Sequence, residues 1–153
     1  MAGTFVDVQV RGDKAIVKRL NQISRKVDVL DAPLMEIGEY LLDNTQERFV
    51  SMQAPDGTPW EPLSETTLAR KNRTDRILTE SGTLADTLNY QLNATGLVLG
   101  SNMEYAAMHQ FGGVTSSDSM MGEQEIPERA FLGVAPYEKV EILDILQSYL
   151  KAP

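Results

Sequence analysis

The longest helical pattern in the chain runs from Leu34 to Met52, and any fold has to be built around it. Leu34, Ile37, Leu41, Thr45 and Phe49 recur at three- and four-residue steps, with Leu42 widening the face. Glu36, Glu39, Asp43, Glu47 and Arg48 fall largely outside it. So strong an amphipathic stripe predicts a core helix. Gly38 interrupts the pattern; an exposed glycine inside a helix costs about 1 kcal/mol relative to alanine, and a close helix or sheet neighbour would explain it. Asp31 and Pro33 precede the helix as a candidate N-cap and a first-turn proline.

Upstream, Val6, Val8 and Val10 alternate with Asp7 and Gln9, which predicts a strand over Thr4–Val10. Beyond Gly12-Asp13, with Asp13 able to cap, Ile16, Leu20, Ile23 and Val27 return to helical spacing. Downstream, Pro55, Gly57, Pro59 and Pro62 make 54–62 a loop, and Ser64 is a candidate N-cap for a short helix to about Lys71. Residues 76–84, with Ile77, Leu78 and Leu84 around Ser81-Gly82, read as a short extended or turn segment leading into one helical turn. Leu88, Tyr90 and Leu92 alternate, Asn93-Ala94-Thr95-Gly96 turns the chain, and Leu97-Val98-Leu99 returns it, the pattern of a hairpin. A last helix starts near Pro136 with a stripe wide enough for two partners, its own domain and a neighbouring subunit. The expected architecture is α+β. A small, mainly antiparallel sheet of the N-terminal strand and the 87–99 hairpin is packed by the 34–52 and C-terminal helices in one domain, 1–153.

Between Asn102 and Gly133 the pattern changes twice. A short helix carrying Tyr105, Ala106 and Met108 is closed by Gly112-Gly113. A polar run, Thr115–Glu125, is too poor in apolar residues to fold alone, which predicts a mobile loop over 113–125 that orders against a partner. Order resumes at Ile126-Pro127, with Phe131 and Leu132 as anchors. Met120 and Met121 stand in the loop as candidate contacts.

Chemistry is sparse. His109 is the single histidine, cysteine is absent, and no G-x-S-x-G, G-x-x-x-x-G-K-[ST] or G-x-G-x-x-G sequence occurs. That argues against nucleophilic catalysis, thiolate metal sites and phosphate loops, so no cofactor is expected. His109 reads as a structural residue at a helix C-terminus, favourable to the dipole when charged. A net charge of −8 argues against broad binding of nucleic acid, and no run approaches the ~20 apolar residues of a membrane span. Arg70, Lys71, Arg73 and Arg76 nevertheless cluster, broken only by Asp75. They read as a solvated loop or, more sharply, as a basic rim facing DNA. Trp60 is either a buried loop anchor or an interface anchor. Arg129, in Pro-Glu-Arg-Ala-Phe, is suited to grip a carboxylate within the fold or across an interface.

Four of these pieces occur in an order that resembles the phage virion morphogenesis (tail-completion) family. They are Gly57-Thr58-Pro59-Trp60-Glu61-Pro62-Leu63, Ile77-Leu78-Thr79-Glu80-Ser81-Gly82-Thr83-Leu84, YAAMHQFGG from Tyr105, and IPERAFLG from Ile126. The resemblance implies a structural, non-enzymatic protein of the virion tail or neck, assembled in the host cytoplasm. It would complete the tail and join it to the filled head as a ring-forming subunit. The implied partners are copies of itself, the tail tube, a connector or other neck proteins, with DNA in a ring lumen a further contact. The rival readings are a DNA-binding accessory protein of assembly, with the basic cluster as its contact, and a small hydrolase built around His109.

Overall fold

The computed structural model describes residues 14–120 and 122–153; the strand expected over 4–10, the cap at Asp13 and the side chain of Met121 lie outside them. In chain order the elements are α1 (Lys14–Asp28), α2 (Asp31–Ser51), α3 (Glu65–Arg70), α4 (Thr83–Asp86), β1 (Asn89–Asn93), β2 (Gly96–Gly100), α5 (Ala106–Phe111), β3 (Gly113–Val114), β4 (Glu125–Ile126) and α6 (Pro136–Lys151). The class is α+β: two long helices, α2 and α6, pack with a small antiparallel hairpin.

α2 is the spine, and it buries Ile37, Leu41, Thr45 and Phe49 along the predicted face. Two details differ from expectation. Leu30 occupies the N-cap position with no side-chain cap, so Asp31 acts instead as a first-turn acid beside the positive end of the helix dipole. Arg48, expected outside the face, is buried, for a reason that lies in α6. The neighbour that Gly38 requires is Tyr90 of β1. A Cβ at position 38 would sit 2.5 Å from the ring Cε2 and 2.8 Å from Cγ. The ring is further tied by its hydroxyl, which donates to Glu39 Oε1 at 2.7 Å, so it has little freedom to retreat. Gly38→Ala is therefore expected to lose about 1–3 kcal/mol to overpacking, despite its gain in helix propensity. A urea midpoint equal to or above wild type would show that the hairpin can shift off α2.

The hairpin follows the expected turn. Asn93 pairs with Gly96, and Asn93 Oδ1 accepts from the N–H and hydroxyl of Thr95 at 2.9 and 2.8 Å. β1 begins at Asn89 because Thr87 is still engaged by the end of α4, its N–H and hydroxyl both donating to Thr83 O. Among the described residues the core has two parts. Ile37 and Leu41 of α2 meet Ile145 of α6 beside Leu97 and Leu99 of β2. Phe49, Trp60, Leu84, Leu88, Ala106 and Phe131 form the other.

Arg48 joins α2 to α6. It donates to Glu138 Oε1 at 2.5 Å, to Phe131 O at 2.8 Å and to Gly133 O at 3.1 Å. Glu138 has no solvent exposure. Its carboxylate also accepts from Asn44 Nδ2 at 3.2 Å and from the Ala135 N–H at 2.7 Å, the latter closing the first turn of α6. Three donors around one carboxylate satisfy a charge that would otherwise be costly to bury.

The polar run 115–125 departs from expectation at its base. Gly113–Val114 pairs antiparallel with Glu125–Ile126, and Thr115 N donates to Gln124 O at 2.9 Å. The Thr115 hydroxyl donates to Gly122 O at 2.6 Å and accepts from Gln124 N at 2.8 Å. A ribbon two residues long needs no apolar face, so poverty in apolar residues did not forbid it.

Candidate functional site

The four sequence pieces that bear the family resemblance lie far apart in the chain and meet around Arg129 and Gln110. Trp60 is 5% exposed, stacks edge-on to Phe49 at 5.4 Å, and donates its Nε1–H to Ala130 O at 2.8 Å. Arg129, itself 7% exposed, donates from Nε to Glu61 O at 2.8 Å and from Nη2 to Pro62 O at 3.0 Å, while its main-chain N–H donates to His109 O at 2.8 Å. Arg129 thus grips two main-chain carbonyls of the Trp60 loop, where the sequence suggested a carboxylate. Those carbonyls lie just beyond the isolated Gln53–Pro59 bridge, where Pro62 lacks the N–H that a ladder would need, and the guanidinium fork satisfies them instead.

Gln110 is a residue whose part the sequence does not betray. Its Oε1 accepts from the N–H groups of Phe131 and Leu132 at 3.0 and 2.9 Å, and its Nε2 donates to Leu132 O at 3.1 Å. The amide side chain from the end of α5 therefore supplies the partners that a neighbouring strand would have given to 131–132. Phe131, fully buried, is held in place by this clip. The chain reaches it by folding sharply back after α5 at Gly112 (φ +71), where a Cβ would lie 2.8 Å from Glu128 N.

Beside this junction lies a pocket of about 340 Å³ walled by Leu63, Leu78, Leu84, Tyr105, His109 and Arg129, among others. Leu78 holds a left-handed backbone (φ 56), unusual for a residue with a branched side chain. His109 contributes a buried Nδ1 without a hydrogen-bond partner. Burial, and then the neighbouring Arg129 charge, hold its pKa below the ordinary value near 6.5. The imidazole is therefore neutral at pH 7, and the helix-dipole benefit expected of a charged histidine does not operate. Unfolding exposes the ring, which then takes up a proton below pH ~6.5. The unfolded chain binds more protons in that window, so the stability contributed by burying neutral His109 is present above it and is lost as pH falls. Comparing urea midpoints at pH 7.5 and 5.5, we expect wild type to lose more than His109→Leu; equal losses would mean that the ring titrates normally in the fold.

The basic cluster is only partly free. Lys71 donates its ammonium to Arg76 O, and burial pulls its pKa below the usual lysine value. Arg76 donates to Val50 O at 3.0 Å. Arg73 and Arg76 lie 3.6 and 3.9 Å from the carboxylate of Asp75, and Arg70 is exposed at the end of α3. The cluster thus dresses the 71–76 turn as much as it faces solvent. Met120 is fully exposed, as are Phe111 and Val114 in large part. Among the described residues, no group of three or more His, Asp and Glu side chains could hold a metal ion, and no helix is long and apolar enough to cross a membrane.

Residues 12–151 match the phage virion morphogenesis family. The chain belongs to that family. It is 25% identical over 149 residues to "Mu-like prophage FluMu G protein 2" of Haemophilus influenzae, covering 96% of this chain and 97% of that protein. It is 30% identical over 117 residues to "Putative capsid assembly protein G" of Escherichia phage Mu, covering 73% and 74% of the two chains. No solved structure matches. As a member of the virion morphogenesis family, the chain is a phage structural assembly component, and the four pieces quoted above fall within the matched span.

Proposed function

We propose that this protein completes the phage tail and secures its junction with the DNA-filled head, acting without catalysis as a ring-forming subunit in the neck or at the tail end. The observation that carries the reading is how the Trp60, Gln110, Arg129 and Phe131 side chains are used. Each is engaged by main-chain groups or core neighbours of the same chain. What is left to solvent is large and apolar: Phe111, Val114 and Met120 around the polar loop, and stripes on α1 and α6. A rigid body with unpartnered apolar faces suits a subunit of an assembly better than an enzyme. In this reading the tail tube, a connector or another neck protein covers the Phe111–Met120 face.

The name of the phage Mu relative favours a second reading, a role in building the head itself. Antibody labelling of finished particles against an epitope appended to the C-terminus separates the two. Gold at the head–tail junction or tail end is expected; gold distributed over the capsid shell would contradict the tail-completion role.

A further inference from the structure

α1 is fifteen residues long and buries none of them fully. Its apolar stripe is Ile16, Leu20, Ile23 and Val27, and Ile16, Leu20 and Val27 remain 53, 51 and 52% exposed. The helix is nevertheless fixed in place through its polar flank. Arg19 donates to Lys151 O at 2.6 Å, and Lys26 donates to Tyr149 O at 3.0 Å and to Ala152 O. These acceptors are neutral carbonyls, so neither positive charge meets a carboxylate there. α1 carries five basic residues and one acidic, a net +4, whereas residues 29–153 hold eight basic and nineteen acidic, a net −11. A basic apolar helix thus stands on an acidic body.

Its complement is on the same molecule. Along α6, Tyr137, Val140 and Leu143 are 63, 60 and 57% exposed, and the exposed Glu141 and Asp144 follow Tyr137 and Val140 by one helical turn. A hollow of about 360 Å³ beside Tyr137 is bordered by Glu47 and Asp56. This face matches the α1 stripe in apolar character, and its carboxylates are opposite in sign to Arg19 and Lys26, the basic residues that flank the stripe. Lys14, Lys18 and Arg25 lie on the far side of the helix. Two α1 helices brought together would instead juxtapose like charges. We propose that α1 of one copy seats its Ile16/Leu20/Val27 stripe on the Tyr137/Val140/Leu143 face of α6 in the next copy. Because the two patches differ, the contact is head-to-tail and repeats around a ring if the rotation closes. The inference rests on the ring-forming reading and names the surfaces through which copies would meet.

The absence of native cysteine allows a direct test in purified full-length protein. Leu20→Cys and Val140→Cys chains are prepared separately, shown to keep wild-type circular dichroism and urea midpoints, mixed and oxidised. The mixed Leu20–Val140 disulfide is expected as the main cross-linked product. Adding Glu141→Lys and Asp144→Lys to the Val140→Cys chain is expected to abolish it, and raised salt to weaken it. Dominance of Leu20–Leu20 cross-links, a mixed product no greater than that from a cysteine at exposed Glu65, or indifference to the charge reversal would each overturn the pairing. None of these outcomes depends on the tail-completion role, which particle assembly tests separately.

Discussion

Arg48→Ala is expected to lower the unfolding free energy by about 3–5 kcal/mol, the cost of leaving one partner of a buried ion pair uncompensated. Glu138 would keep Asn44 and the Ala135 N–H but lose the cation paired with it, at a position with no solvent exposure. The carbonyls of Phe131 and Gly133 would lose their donor in the same step. Against a total stability of about 5–15 kcal/mol, such a loss leaves a marginal fold. The double variant Arg48→Met/Glu138→Leu removes both charges and is expected to recover a large part of it, because two apolar side chains carry no desolvation penalty. Urea denaturation of the three proteins measures this. An Arg48→Ala midpoint close to wild type would mean that water reaches Glu138.

Gln110→Ala is expected to cost about 2–4 kcal/mol, because it strips two N–H groups and one carbonyl of their partners in a half-buried setting where solvent replaces only part of what is lost. The effect should be local in origin. Amide hydrogen exchange at Phe131 and Leu132 is expected to accelerate well before that of α2. Gln110→Glu keeps the acceptor but loses the donor to Leu132 O, and should fall between the two. If Gln110→Ala leaves exchange at 131–132 unchanged, the side chain does not hold that segment.

These two contacts also mark where the sequence stops being legible. Spacing and turn residues mark α2, α6, the hairpin (expected over 87–99, paired over 89–100) and the Ser64 cap, since each leaves a local signature. Arg48 and Gln110 leave none. Each sits on a helix between a polar residue and a phenylalanine, with no local sign of a partner, and only long-range folding brings Glu138 and the 131–132 backbone to them. Trp60 shows the intermediate case. Its burial was the simpler expectation, but the carbonyl that holds its Nε1–H comes from Ala130, seventy residues on. Arg129 stands out in the sequence for its fork geometry, yet its acceptors are backbone carbonyls, which no side-chain pattern announces. The family resemblance rested on pieces whose shared purpose, closing one junction, became visible only when they met.

The role in assembly is tested most directly by electron microscopy of lysates from a phage lacking this chain. DNA-filled heads and finished tails lying apart are expected, with intact particles restored when the wild-type protein is supplied. Complete infectious particles without the protein, or a lysate devoid of filled heads, would contradict a function at the head–tail junction.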